Sequence, residues 1–136
     1  MICGTYSVLN KTRKVQLSSE TEIAGSVFKR IRGLIGRRSQ EFAPGSGLLI
    51  RPSNGIHTFG MKFPIDAVYL DSKEQILKIY HKLPPYRLAA MVLKARSVLE
   101  LPAGTLACTH TEVGDFLEFQ KVENGTKSAP AQSKRE

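Results

Sequence analysis

Three side chains in this sequence could move protons if the fold gathers them: His57, Asp66 and Glu100. An imidazole and two carboxylates from separate segments can form a general acid–base site or hold a cation. Arg32 adds a planar cation able to grip a carboxylate or an anion in bidentate fashion, and Met61 lies between His57 and Asp66. The expected site is therefore a polar pocket of Arg32, His57, Met61, Asp66 and Glu100, taking a small polar or anionic ligand or a partner peptide.

Each of these residues also has a structural reading. Asp66 follows Pro64-Ile65 and is placed to accept backbone N–H bonds. Glu100 stands between Leu99 and Leu101, so strand alternation sends it to the opposite face from them, where solvent would account for it. An Arg32–carboxylate pair could be a structural latch instead of an anion clamp, and the latch is the favoured reading.

Other chemistries lack their patterns. Cys3 and Cys108 are too far apart in sequence for a zinc or redox motif, and Cys108-x-His110 matches no standard metal spacing; no metal and no cofactor is expected. Neither Ser97 nor Cys108 lies in a nucleophile turn, and Gly45-Ser46-Gly47 lacks the lysine of a phosphate loop. The chain carries no recognisable catalytic motif, so no catalytic residue is assigned and enzyme status stays open. Lys29, Arg30, Arg32, Arg37 and Arg38 form a basic cluster without an intervening acid. With Phe59, Tyr80 and Tyr86 as stacking groups, they support an alternative reading as a nucleic-acid-associated protein, with Lys29, Arg30, Arg37 and Arg38 as contacts, although no nucleic-acid motif is present.

These side chains need elements to position them. Thr5–Leu9 and Lys14–Leu17 read as a hairpin around a polar turn, and Ser18–Thr21 as its end and a source of helix caps. Ile23, Val27, Phe28, Ile31, Leu34 and Ile35 recur at helical spacing, which predicts one main amphipathic helix over about 21–36. Short strands are expected at 48–50, 55–59, 65–70, 75–80, 97–101 and 116–122, with a short helix near 103–109 opened by Pro102. Residues 87–96 show no decisive period. The fold class is α+β: a strand-rich single domain with a mostly antiparallel, curved or barrel-like sheet. The domain spans 1–123, and the polar segment 124–136 is expected to be a flexible tail.

The stretch Gly55–Asp71 (GIHTFGMKFPIDAVYLD), with Arg32-Gly33-Leu34, Val98–Gly104 and Val113-Gly114-Asp115 in the same order, resembles the family known as domain of unknown function 192. The resemblance spans about residues 5–122 and implies a compact, strand-rich α+β domain of bacteria and archaea. The family supplies no established activity to transfer. Where many relatives have Gly-Leu-Met, this chain has Leu34-Ile35-Gly36, a change that bears on core packing.

Composition agrees with one globular domain. The chain has 136 residues, 41% hydrophobic and 24% charged, with a net charge of +8, enough for one core without disulfides or metal. The N-terminus lacks the basic and apolar regions of a secretory signal, and no apolar run reaches membrane-helix length. The expectation is a cytoplasmic protein with reduced thiols and no membrane span.

Overall fold

The computed structural model describes residues 5–24 and 42–122. Seven strands run β1 (Thr5–Asn10), β2 (Val15–Ala24), β3 (Ser46–Ile50), β4 (Ile65–Leu70), β5 (Ile76–Leu83), β6 (Ser97–Pro102) and β7 (Leu117–Val122). Among the described residues there is one helix, α1 (Thr105–Thr109), where the sequence predicts a short one.

The strands form a single sheet in the order β5-β4-β6-β3-β2-β1-β7. Neighbours are antiparallel except β2 and β3, which are parallel, so the sheet is mixed. It is open, with β5 and β7 as edges, but those edges are drawn together at one end. Gln75 and Phe116 form an isolated bridge, and the Ile76 and Leu117 amides donate to Asp115 and Glu74 carbonyls at 2.8 and 2.9 Å. The sheet is curved enough for its two margins to touch.

Two expectations are corrected here. The strand expected at 55–59 is reduced to an isolated bridge between His57 and Leu88. Thr21–Ala24, placed by periodicity at the start of a helix, are the end of β2. β-Branched Thr21 and Ile23 favour extended backbone, and this end is paired on both sides, to β1 through Thr5↔Glu22 and to β3 through Glu22↔Leu48. Ser18–Thr21 therefore continue the strand and do not cap a helix. Residues 25–36 of the expected helix, and the tail, lie outside the described residues. Gly47 explains how closely β2 and β3 approach: a Cβ there would meet Thr21 Oγ1 at 2.6 Å, over the buried Ser18–Thr21 hydroxyl pair.

Both faces of the central sheet are apolar. Val8, Leu17, Leu49, Val68, Leu70, Ile76, Leu99, Leu101, Leu106 and Leu117 pack on the concave side. Leu48, Ile50, Ile65, Ala67, Tyr69 and Val98 pack on the other, under Ile56, Met61, Phe63, Ala89 and Ala95 from the two long connections. Strands β4 and β6 are buried along their whole length, which is why they read as nearly continuous apolar runs.

Candidate functional site

Asp66 is buried in β4 and occupied by backbone. Its Oδ1 accepts from Lys82 N–H at 2.9 Å, and its Oδ2 accepts from Gly104 and Leu106 N–H at 3.1 and 2.9 Å. These bonds tie β4 to β5 and to the start of α1. Gly104 has φ 97, a left-handed conformation that glycine adopts freely, and no cap side chain of its own; Asp66 supplies the missing acceptor across the fold.

Glu100 lies on β6 opposite Leu48 and Ala67, so its side chain shares the face of those apolar residues. Strand alternation is as the sequence suggests, but that face is covered: Glu100 is 4% exposed, and it accepts no hydrogen bond from another described residue. Burial pushes its pKa up to about 8, favouring the neutral acid near pH 7. Nearby Tyr69 is pushed up to about 12, first by burial, then by the charges of Tyr80 and Glu100; its hydroxyl donates to Ala90 C=O at 2.7 Å, while Tyr80 Oη accepts from Ala90 N–H at 2.9 Å. The two tyrosines anchor the 84–96 connection to the sheet.

His57 and Met61 have different surroundings from each other. His57 is exposed; it bridges to Leu88 and stacks on Phe59 at 5.3 Å. Phe59 N–H donates to its Nδ1 at 3.2 Å, so a neutral ring carries its proton on Nε2. Met61 is core, packed with Phe63 and Tyr69. Arg32, Lys29, Arg30, Arg37 and Arg38 lie outside the described residues. Asp66 and Glu100 point to opposite faces of the sheet, so those two carboxylates do not share a pocket. Among the described residues, no group of three or more His, Cys, Asp or Glu side chains could hold a metal. Cys108 is a free, exposed thiol.

Two polar features escape the sequence reading. One closes the end of the sheet: Asp115 Oδ2 accepts from Asn10 Nδ2 at 2.9 Å, Arg13 Nε at 2.7 Å and Glu112 N–H at 3.0 Å, while Asn10 Nδ2 also donates to Thr111 Oγ1 at 3.1 Å. Burial pushes the Asp115 pKa up, but the bonds from Arg13 and Asn10 outweigh it and hold the group below the ordinary carboxylate range. Gly114-Asp115 was legible as a turn; its partners, about a hundred positions away, were not.

The other feature is a pair of clefts on either side of Ala95-Arg96. One, of 530 Å³, is lined by Asp71, Ser72, Leu93, Lys94, Ala95 and Arg96. The other, of 410 Å³, is lined by Pro52, Ser53, Asn54, Gly55, Ala95 and Arg96 and has no carboxylate in its wall. Arg96 is fixed by its backbone: its N–H donates to Leu70 C=O at 2.7 Å and its C=O accepts from Ser53 N–H at 3.0 Å. Its side chain is exposed and makes no ion pair with a described residue. The segment 87–96 has no period that would have flagged it.

Residues 8–119 match the family described as DUF192, Uncharacterized ACR. The chain is 28% identical over 129 residues to the UPF0127 protein of Thermococcus sibiricus, covering 91% of this chain and 80% of that protein. It is 30% identical over 118 residues to the UPF0127 protein of Pyrococcus abyssi, covering 82% and 96%. Two solved structures share the fold. A protein of unknown function from Novosphingobium aromaticivorans has TM-score 0.68 and 20% identity, covering 86% of this chain and 84% of that one. A Sinorhizobium meliloti protein, provisionally described as a transcription regulator, has TM-score 0.70 and 23% identity, covering 86% and 96%.

Proposed function

The chain belongs to the DUF192 family, and from that premise we propose that it is a binding domain for a small anionic ligand, held in the 410 Å³ cleft beside Arg96. The observation that carries this reading is Arg96 itself. Its backbone is pinned at both peptide groups, and its guanidinium is unpaired among the described residues, beside a cleft wall without carboxylates. A guanidinium fork suits phosphate and carboxylate groups. The Asn54 side chain makes no hydrogen bond to a described residue, leaving its amide N–H groups to donate. A cleft of this size lies within the range of ligand sites, about 300–1,000 Å³. The neighbouring cleft carries Asp71, which disfavours an anion there.

The carboxylates first considered for chemistry support the same reading from the other side. Asp66 holds three backbone N–H groups, and Glu100 is enclosed in apolar surroundings. Neither is placed to serve an open site. The pocket proposed here thus differs in position from the one expected of Arg32, His57, Met61, Asp66 and Glu100, while the ligand class is the same.

Thermal denaturation with and without glycerol phosphate tests the proposal. Stabilisation of the wild type that disappears in Arg96→Gln supports it. Equal stabilisation of both proteins, or none in either, removes Arg96 from the account.

A further inference from the structure

Beside the Arg96 clefts lies a row of apolar side chains that the fold does not use. Leu88, Met91 and Leu93 are 78%, 76% and 92% exposed, and Tyr86 and Phe59 flank them at 65% and 46%. The row is continuous with the clefts: Leu93 lines one of them, and Met91 Cγ lies 3.2 Å from where a Cβ on Gly55, in the wall of the other, would stand. The backbone beneath is held. Leu88 bridges to His57, Ala89 N–H donates to Ile56 C=O at 3.0 Å, and Val92 N–H donates to Asn54 C=O at 2.8 Å. These side chains project from an anchored loop.

Cations predominate beside the row: Arg87, Lys94 and Arg96 stand against Asp71, which lines the Leu93 cleft. Lys62, Lys82, Arg87, Lys94 and Arg96 are exposed and form no ion pair with described residues. Of the acids between residues 51 and 96, Asp66 is held by backbone and Glu74 by Arg51 at 3.0 Å, while Asp71, in the wall of the Leu93 cleft, has its Oδ1 taken up by the Lys73 and Gln75 amides. An occupant must therefore be anionic and apolar together. A second copy of this chain brings the same cations and is repelled. A single nucleic-acid strand prefers aromatic platforms, whereas the most exposed members here are aliphatic.

We propose that this face docks on an anionic phospholipid bilayer, with Leu88, Met91 and Leu93 entering the interface and Arg96 receiving a lipid phosphate in its cleft. This inference rests on the anion-binding reading and names the source of the anion. Apolar side chains flanked by Lys and Arg are the usual means by which a peripheral protein lies on a charged interface. The proposal is of attachment from one side of the bilayer; among the described residues no helix is long and apolar enough to cross a membrane.

The test is co-sedimentation of the full chain with vesicles of phosphatidylcholine alone, and of three parts phosphatidylcholine to one part phosphatidylserine. The expected result is binding to the mixed vesicles, weakened by salt, with little binding to phosphatidylcholine alone. L88S/M91S/L93S, all at exposed positions, should lower partitioning at least about ten-fold with the melting temperature unchanged. Arg87→Gln with Lys94→Gln should lower it by about five-fold per charge. Absence of binding to the mixed vesicles overturns the proposal, as does binding that survives both sets of substitutions. Stabilisation by free glycerol phosphate without vesicle binding overturns the bilayer and leaves the anion site standing; loss of both removes both. Binding to soluble poly-glutamate without vesicle binding assigns the face to an acidic protein and also overturns the proposal.

Discussion

Asp66 and Glu100 stand on adjacent hydrogen-bonded strands, yet their side chains leave the sheet on opposite sides. Asp66 is opposite Leu101 and Glu100 is opposite Ala67, a register offset of one residue. Because side chains alternate with a period of two, that single step sends one carboxylate to the concave interior beside α1 and the other under the 56–63 and 89–95 segments. The two acids have separate consequences for stability.

Asp66→Asn should destabilise the protein. An amide replaces one of the two acceptor oxygens with a donor, which then faces at least one of the Lys82, Gly104 and Leu106 N–H groups. Leaving a buried donor unpaired costs roughly 1–3 kcal/mol, so the denaturation midpoint should fall at unchanged m-value. A midpoint equal to wild type would contradict the assignment of Asp66 as a backbone acceptor.

Glu100 makes stability depend on pH. Its folded pKa is about 8, raised by burial from 4.5, so the folded protein holds this proton more tightly than the unfolded chain does. Its contribution is fully present below about pH 4.5 and is lost as pH rises through about 8, with a limiting slope of roughly 1.4 kcal/mol per unit. The difference between wild type and Glu100→Gln, followed by denaturation from pH 5 to pH 9, should therefore change in Gln's favour as pH rises. A constant difference would mean that Glu100 is not desolvated.

Asp115 carries the opposite sign. Its folded pKa lies below the ordinary value of 3.8, so its contribution is present above that value and is lost as pH falls through the lowered folded pKa. Acid titration of Asp115→Asn should show a shallower loss of stability below pH 4 than wild type. A double-mutant cycle with Asn10→Ala should give a coupling of about 0.5–3 kcal/mol, since the two side chains share a 2.9 Å bond; additive effects would dissolve the network.

Much of the fold was legible where both faces of a strand are covered. Leu48–Ile50, Ile65–Leu70 and Ser97–Leu101 read as strands because burial on both sides leaves apolar runs; Pro102 signalled the short helix but is itself the last residue of β6, and the helix starts at Thr105. Thr21–Ala24 misled because Ile23 and Val27 satisfy a helical period, while what holds Ile23 extended is Leu49 of β3, a non-local pairing invisible to a local window. Asp66 was recognisable as an acceptor of backbone N–H groups. For Glu100 the facing was legible but the burial was not, because its cover comes from distant, irregular segments. Arg96 was missed for a related reason: the connection holding it has no period, and its anchors are Leu70 and Ser53.

Gly47→Ala tests the close approach of β2 and β3. The added methyl would meet Thr21 Oγ1 at 2.6 Å, and relieving such overpacking typically costs about 1–3 kcal/mol. Gly47→Ala combined with Thr21→Ala should recover part of that loss; no recovery would place the strain elsewhere.

The central claim is an anion site beside Arg96, and backbone amide chemical shifts during titration with glycerol phosphate test it most directly. The account predicts saturable shifts concentrated at Ser53, Asn54, Gly55, Ala95 and Arg96, abolished in Arg96→Gln while the spectrum otherwise keeps its dispersion. Shifts scattered over other basic residues, or the same titration in Arg96→Gln, would contradict it.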